Sequence, residues 1–375
     1  MNSPIQMTLH AGPGIAIPAP REVMESLAKI QVKNNSGDED SGFELTFNIS
    51  KRSPLETLFL LTGGSSIPIL RVVISVTVKG TLHVLVDGVM THHQLQPGTN
   101  GSATLTVQGK DLTALFDYFD FSGTPFPAMP PAARVALLVA KYAPLGVIPK
   151  VIPGIAEDIP LPIERIPQQK GTDLAYIRQL AGEAGYVFYM EPGPVPNVSF
   201  AYWGPEIRVG APQPSLNIDM DAHTNVETLS FRFDKEKKEL PITYIHEPTL
   251  KTAIPIPIPD ITPLNPPLGL IPPLPPKIKN LKYTARLKPV AALMAGIAYA
   301  GQHSDSVFGD GTLDVLRYGH VLKSRQLVGV RGAGMAFDGL YYVKSVTHNL
   351  ERGQYKQGFT LARNGLVSTL PSLPA

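Results

Sequence analysis

The chain contains no cysteine. Disulfides, thiolate metal sites and cysteine nucleophiles are therefore excluded. Tryptophan occurs once, at Trp203, and aromatic residues make up 7% of the sequence, so a stacking platform for sugars is not expected. Only 17% of residues are charged and the formal net charge is +2, with both signs spread along the chain. No block of Lys and Arg stands out, which argues against a dedicated nucleic-acid groove. No run reaches the roughly 18 apolar residues needed to span a bilayer. The nearest, Pro289 to Ala300, is short and rich in Ala and Gly and reads as a packed helix. Met1 to Ala19 lacks the basic start and apolar core of a signal peptide. The chain is expected to be soluble and made in the cytoplasm, with no membrane insertion. Sparse charge has two readings: a surface partly covered by partners, or a chain rich in Gly and Pro with few charged helices.

What is present is β-structure. The 375 residues, 43% hydrophobic, suffice for two or three domains. Phe43, Leu45 and Phe47 alternate with polar neighbours, as do Ala103, Leu105 and Val107, while Ile67 to Val78 and Thr81 to Met90 are rich in Val, Ile and Leu. Such short-interval, period-2 patterning predicts a small barrel or sandwich. A short helix is predicted over Asp111 to Tyr118 and another over Ala132 to Tyr142, started by Pro130 and Pro131. The strongest helix is Asp173 to Ala184, with Thr172 as N-cap, Gly185 as stop, and Leu174, Ile177, Leu180, Ala181 and Ala184 on one face. Strands return at Tyr186 to Met190, Val198 to Tyr202, Leu216 to Asp219, Val226 to Phe233, Ile242 to Ile245, Lys282 to Leu287 and Gln326 to Val330, with a short amphipathic segment over Asp314 to Leu322. Thr252 to Lys277 is dense in proline. It should not donate to a sheet ladder and favours extended polyproline conformation. Its alternating Ile and Leu suggest an arm packed on its own domain or on a neighbouring subunit, against the plainer reading of a mobile loop. The last feature is a long β-hairpin. Asp338 to His348 and Tyr355 to Arg363 flank Asn349 to Gln354, where Gly353 can supply a left-handed turn residue.

No catalytic constellation emerges. His92 and His93 are adjacent, so in a strand they face opposite sides and cannot chelate one ion together. Gly332-Ala333-Gly334 with Gly339 is followed by a strand rather than a helix, so it is a strand connection and not a dinucleotide loop. Thr62-Gly63-Gly64-Ser65-Ser66 lacks the nucleophile-elbow pattern and reads as a turn. Phe308-Gly309-Asp310-Gly311 reads as a tight turn without the ligand ladder of a calcium loop. Asp234 to Glu239 alternates in charge and reads as a solvated turn. Two carboxylate pairs could be neighbours, Glu183 with Glu191 and Asp219 with Asp221. A glycosidase needs two such groups flanking a cleft, and no cleft signal accompanies them. No catalytic, cofactor-binding or metal residue is assigned, no cofactor is expected, and the partner-binding residues are not readable.

The run from Gly171 to Tyr189, Gly-Thr-Asp-Leu-Ala-Tyr-Ile-Arg-Gln-Leu-Ala-Gly-Glu-Ala-Gly-Tyr-Val-Phe-Tyr, resembles a signature of the phage late-control protein D family. The same helix–Gly–aromatic–strand step occurs in the hub portion of VgrG-type spike proteins. Asp87-Gly88-Val89-Met90 through Leu105 to Leu112 is similar to the family's first barrel and exit helix. Thr312 to Gly319 and the closing hairpin resemble hubs of contractile injection systems. The resemblance implies a mainly β fold with α+β character: two small β-barrel domains joined by a mixed α/β domain, the second barrel interrupted by the Pro-rich insertion. The implied division is a first barrel over 1–122, a connecting α/β domain over 123–187, a second barrel opened by 188–250, a Pro-rich arm over 251–278, a helical insertion and completion of the barrel over 279–368, and a tail over 369–375. It further implies a non-enzymatic structural hub of a phage tail or tail-like injection system. Such a hub is a homotrimer that adapts the hexameric inner tube protein to the trimeric spike protein, among other baseplate proteins. The chain ends about a dozen residues after the hairpin, so the spike is expected to be a separate chain. The alternative is a tail-associated cell-wall hydrolase using Glu183 or Asp219, and a third reading is a carbohydrate-binding adhesin.

Overall fold

The computed structural model describes residues 5–37, 39–50, 69–98, 102–154, 162–163, 166–247, 252–258, 265–275, 277–281, 284–285 and 289–369. The chain opens with β1 (Ile5–Pro13), β2 (Ile17–Pro18), α1 (Arg21–Ser26), β3 (Leu27–Asn35), β4 (Gly42–Ser50), β5 (Leu70–Val78), β6 (Thr81–Pro97) and β7 (Ser102–Asp111). A middle group follows: α2 (Pro131–Ala140), β8 (Val147–Val151), α3 (Asp173–Ala184), β9 (Val187–Pro192) and β10 (Ser199–Gly204). Next come β11 (Gln213–Asn217), β12 (Thr228–Phe233), β13 (Glu239–Glu247), β14 (Thr252–Pro257), β15 (Gly269–Ile271), β16 (Lys277–Leu281) and α4 (Pro289–Gln302). The chain closes with β17 (Val307–Asp314), α5 (Val315–Tyr318), β18 (Leu327–Arg331), β19 (Gly339–Glu351), β20 (Gln354–Arg363) and β21 (Leu366–Ser368). The fold is mainly β, as expected from the sequence.

The first and last groups of strands form one 13-stranded sheet rather than two separate ones. Its path runs β12-β17-β20-β19-β3-β4-β7-β6-β5-β1-β2, with β18 and β11 branching from β19. Among the described residues this path is open at both ends. The junction is an antiparallel pairing of β3 with β19, in register from Ser345 opposite Asn35 to Glu351 opposite Lys29. The strands are held by one apolar core that mixes Leu9, Ile30, Val32, Leu45 and Leu105 with Val343, Val346, Tyr355 and Leu361. The closing hairpin turns on Arg352 and Gly353, with Gly353 at φ +79°. The strands therefore reach further into the expected turn than residue polarity suggested.

The middle group has a second core. β10 pairs in parallel with β8 and antiparallel with β9. Val135, Leu138, Ile177, Leu180, Phe188, Ala201 and Trp203 fill the space between this small sheet and α2 and α3. Thus β9 and β10, which follow residue 187, belong by hydrogen bonding and packing with the connecting unit. Strand propensity cannot say which sheet a strand joins. The helix α3 matches its sequence expectation to the residue. Thr172 Oγ1 accepts from Ala175 N, and Gly185 ends the helix at φ +74°. Gly185 has a second duty, because a Cβ there would lie 2.1 Å from Ala298 Cβ on α4.

Three expectations are corrected. Phe308 to Gly311 is not a turn but the middle of β17. Its glycines make room for rings from neighbouring strands: a Cβ on Gly309 would meet Phe231 at 2.8 Å, and one on Gly311 would meet Phe359 at 2.7 Å. The Pro-rich stretch does join ladders. β14 pairs with β13, placing Pro255 opposite Tyr244 and Pro257 opposite Ile242. This works because β14 is an edge strand of the β14-β13-β16 sheet, the position in a sheet where proline is tolerated. Lys282 to Leu287 is not a strand where described: Thr284 and Ala285 form a 3-10 turn, and the remainder lies outside the described residues. The predicted turn at Thr62 to Ser66 also lies outside them.

His348 sits in the junction, 2% exposed. Its Nδ1 lies 2.7 Å from Tyr355 Oη and its Nε2 lies 3.3 Å from Asn34 Nδ2. Burial, with a smaller push from His83, lowers its pKa from the ordinary histidine value to about 3. The folded state therefore excludes a proton that the unfolded chain binds below about pH 6.5. Stability should be complete above that pH and fall as pH drops toward 3, by about 1.4 kcal/mol per pH unit from this group. Urea titrations at pH 7.5 and pH 5 should show a loss of about 2 kcal/mol that is absent from the difference measured for His348→Gln. Equal pH dependence in the two proteins would refute the assignment. Gly185→Val should destabilise by more than about 2 kcal/mol, combining a left-handed backbone with a clash, as read by the midpoint of denaturation.

Candidate functional site

Two buried Arg–Asp pairs fasten the connecting unit to the large sheet. The first begins in β5, where Arg71 interrupts the apolar run Leu70-Arg71-Val72-Val73-Ile74. It is 2% exposed, and its partner Asp87 on β6 is equally buried. Arg71 Nε donates to Asp87 Oδ1 at 2.7 Å and Nη2 to Oδ2 at 2.6 Å. The remaining guanidinium nitrogen donates to Leu145 O at 2.7 Å and Gly14 O at 3.1 Å. Ser199 on β10 donates to Asp87 Oδ2 at 3.0 Å. One ion pair thus ties together β5, β6, the turn after β1, the entry to β8, and β10. Gly88 lets β7 close beside it, since a Cβ would meet Lys110 O at 2.2 Å.

The second pair lies just beyond β10. Arg208 donates to Asp305 at 2.6 and 3.0 Å and to Glu206 at 3.2 Å. Lys344 of β19 approaches Asp305 at 3.4 Å. The Arg208 guanidinium also lies 4.8 Å from the Tyr342 ring centre. Burial works against ionisation of Asp305, yet Arg208 and Lys344 together hold its pKa below the usual carboxylate value.

Beside this pair lies a cavity of about 280 Å³, between the connecting unit and the segment before β18. Lys150, Tyr189, Glu191, Tyr202, Glu206 and Arg325 contribute to its lining. Arg325, at φ +63°, stacks 3.9 Å from the Tyr189 ring centre, and Lys150 lies 5.6 Å from that of Tyr202. Burial pushes the Tyr202 phenol up to about 12 and the Tyr189 phenol higher still. Neither phenol is poised to exchange a proton near neutral pH. The arrangement holds surfaces together through paired charges and stacked rings.

The residues weighed from sequence do not converge on this cavity, with Glu191 the exception. Glu183 is exposed on α3, where its carboxylate accepts from Gln179. Asp219 and Asp221 are exposed in a turn, at φ +51° and +48°. His92 is exposed and His93 half-buried on β6. Asp310 accepts from Arg232 and Thr360 across the sheet. Gly332 starts the β18–β19 connection, as expected, and its backbone passes close to Ile218 O. Trp203 is fully buried in the second core against Tyr186. Among the described residues, no three His, Asp or Glu are grouped to hold a metal ion. Sequence reasoning passed over Arg71, Asp87, Arg208 and Asp305. The available signal was a lone Arg inside an apolar strand run, which requires a buried counter-charge.

Comparison with protein-family models and with curated proteins by sequence found no match. Solved structures do match. A tail protein from Neisseria meningitidis superposes with a TM-score of 0.63 at 12% identity, over 97% of this chain and 98% of that one. A 43 kDa tail protein of prophage MuSo2 from Shewanella oneidensis gives 0.60 at 14% identity, over 96% and 98%. A chain of the Francisella PdpA–VgrG complex gives 0.58 at 10% identity, over 99% of this chain and 54% of that one. The fold is that of phage tail proteins and VgrG-type chains. Its mainly β character and its likeness to tail and VgrG-type chains agree with what the motifs at Gly171 to Tyr189, at Asp87 to Leu112 and in the closing hairpin implied.

Breaking one partner of a buried pair strands the other charge. Asp87→Ala should therefore cost about 3–5 kcal/mol in urea denaturation, whereas the double change Arg71→Met with Asp87→Leu should recover most of that loss. A double variant no more stable than Asp87→Ala would show that the charges contribute more than mutual compensation.

Proposed function

We propose that this chain is a structural hub of a contractile phage tail or phage-tail-like injection system. It acts as a homotrimer that joins the hexameric inner tube to the trimeric spike. The observation that carries this reading is the end-to-end match, over 97% of this chain and 98% of the other, to a tail protein of known structure. The geometry supplies a physical reason. Each chain offers two groups of strands, one from each end of the sequence, in a single sheet. Three chains around an axis would present six such groups, an approximate sixfold face on a threefold body. Closed rotational symmetry lets such contacts repeat without open edges. Through Leu145 O, Ser199 and Arg208 the two buried ion pairs tie the connecting unit to both groups, as a symmetry adaptor needs.

The surface fits assembly. Ile15 and Ile17 are 65% and 63% exposed at the β1–β2 turn, and Phe119 is 66% exposed beside Tyr118 and Phe121. Large apolar side chains clustered in the open mark contact surfaces.

Light scattering of the purified chain should give three times the monomer mass, and averaged electron micrographs should show a ring with six lobes. A strict monomer at high concentration that binds neither tube nor spike subunits would overturn the reading. A lytic band on peptidoglycan gels, lost on substitution of Glu183 or Asp219, would favour the hydrolase instead.

A further inference from the structure

Arg325 carries two costs in one residue. It sits in the turn before β18 at φ +63°, a left-handed conformation that long side chains rarely adopt. Backbone hydrogen bonds to β19 hold it there, from Arg325 N to Val343 O at 2.8 Å and from Val343 N to Gln326 O at 2.9 Å. Its Nε is also sealed from solvent without an acceptor. Among the described residues the guanidinium has no hydrogen-bond or ion-pair partner, and it lies over the Tyr189 ring, 3.9 Å from the ring centre. Asp111, a buried carboxylate that feels its charge, is bonded instead to Thr113. A stacked guanidinium uses its face and keeps the N–H groups of its edge for a planar acceptor. The described residues supply none.

The cavity that Arg325 lines supplies the rest of a site. Its volume of about 280 Å³ is at the small end of ligand pockets. Tyr189 stacks on Tyr202 with ring centres 4.8 Å apart and planes at 22°, and the exposed Lys150 lies over Tyr202. Tyr342, Val187, Ile207 and Leu327 add apolar wall. Of the charged groups, Glu206 is taken by Arg208. Lys150, Glu191 and Arg325 form no ion pair among the described residues. Two free cations therefore stand against one free carboxylate, and the wall lacks one negative charge. A doubly charged phosphate would overshoot that balance. A single carboxylate matches it, and its two oxygens fit the guanidinium fork.

We propose that this cavity binds a small monocarboxylate with an apolar, ring-bearing body. The carboxylate meets Arg325 and Lys150, and the body lies against the tyrosine rings. That chemistry has two sources: a free aromatic acid, or the C-terminal residue of another polypeptide. The inference rests on the cavity alone and does not depend on the hub reading.

Calorimetric titration of the intact chain tests this with three probes: N-acetyl-phenylalanine, its amide, and a tetrapeptide ending in phenylalanine with a free carboxylate. N-acetyl-phenylalanine should bind saturably, one per chain. Its amide should bind about tenfold more weakly or worse, since it keeps the shape and loses the charge. Arg325→Lys keeps the charge without the fork and should also lose about tenfold. Arg325→Asn should abolish binding yet keep the melting temperature, because asparagine suits a left-handed backbone. Lys323→Gln, an exposed cation outside the cavity, should bind like the wild type. A tetrapeptide about tenfold tighter than the single residue would identify a polypeptide end as the source, and one no tighter would identify a free acid. No saturation by either acid at millimolar concentration, an amide as tight as the acid, or unchanged binding in Arg325→Asn would each overturn the proposal. Oligomer mass, measured on the same samples, reports on the hub reading separately.

Discussion

The pairing of β3 with β19 is the constraint on which the remaining architecture rests. It joins residues from the two ends of the chain, with Gln31 donating to Asn349 across a separation of 318 positions. Once that ladder forms, the first and last groups of strands share one core, and everything between them becomes an insertion that must leave the sheet and return. The ladder also buries a histidine with polar partners at its centre, where apolar residues would have been simpler. Asn34, Tyr355 and Gln357 satisfy His348, and Gln357 in turn holds both backbone groups of Leu322. A one-residue slip would take His348 off these partners and turn Val346 and Leu350 away from the core. The polar cluster therefore specifies register at a cost in burial.

An insertion this large needs fixing at both of its ends, and the two Arg–Asp pairs sit there. Arg71 and Asp87 meet β10 at its start, through Ser199, and Arg208 and Asp305 hold the segment that follows β10. Buried pairs of this kind add little net stability over apolar replacements of the same size, because desolvation offsets the attraction. Their directional hydrogen bonds are another matter. Apolar packing has no direction of its own, whereas Arg208 donates to both carboxylate oxygens of Asp305, and the Arg71–Asp87 pair, which lies within the sheet, reaches the connecting unit through Leu145 O and Ser199 Oγ. The glycines at 88 and 185 serve the same end by letting β7 and α4 approach without a side chain between.

Local signals in the sequence were reliable where local chemistry decides. Thr172, Asp173 and Gly185 bound α3 because capping is satisfied within a few residues of the helix end. The closing hairpin was readable from alternation and from Gly353. What escaped was decided by neighbours distant in sequence. Gly309 and Gly311 look like turn residues until Phe231 and Phe359 are laid across them. Pro255 and Pro257 argue against a strand until β14 is seen at an edge. β9 and β10 read as strands but gave no hint that β8 would join β10 in their sheet, and Arg71 pointed to a buried counter-charge without saying which one. The continuity of the two strand groups was likewise invisible, because register between strands 300 residues apart leaves no local trace.

The same distinction governs where function can reside. The most deeply buried charges, Arg71 with Asp87 and Arg208 with Asp305, are paired with each other, and the cavity near Arg325 is lined by stacked rings and high-pKa phenols beside Lys150, Glu191 and Glu206. The surface carries the groups that could meet other molecules. There the apolar residues are gathered on separate elements: the β1–β2 turn, the Tyr118 to Phe121 loop, and the stretch from Leu270 to Leu274. A threefold ring is built from heterologous contacts, in which each chain offers two unlike patches to its two neighbours. A twofold dimer needs only one self-complementary patch. A chain with distinct apolar patches on different elements has what the proposed trimer would need, unlike patches that two neighbours could meet.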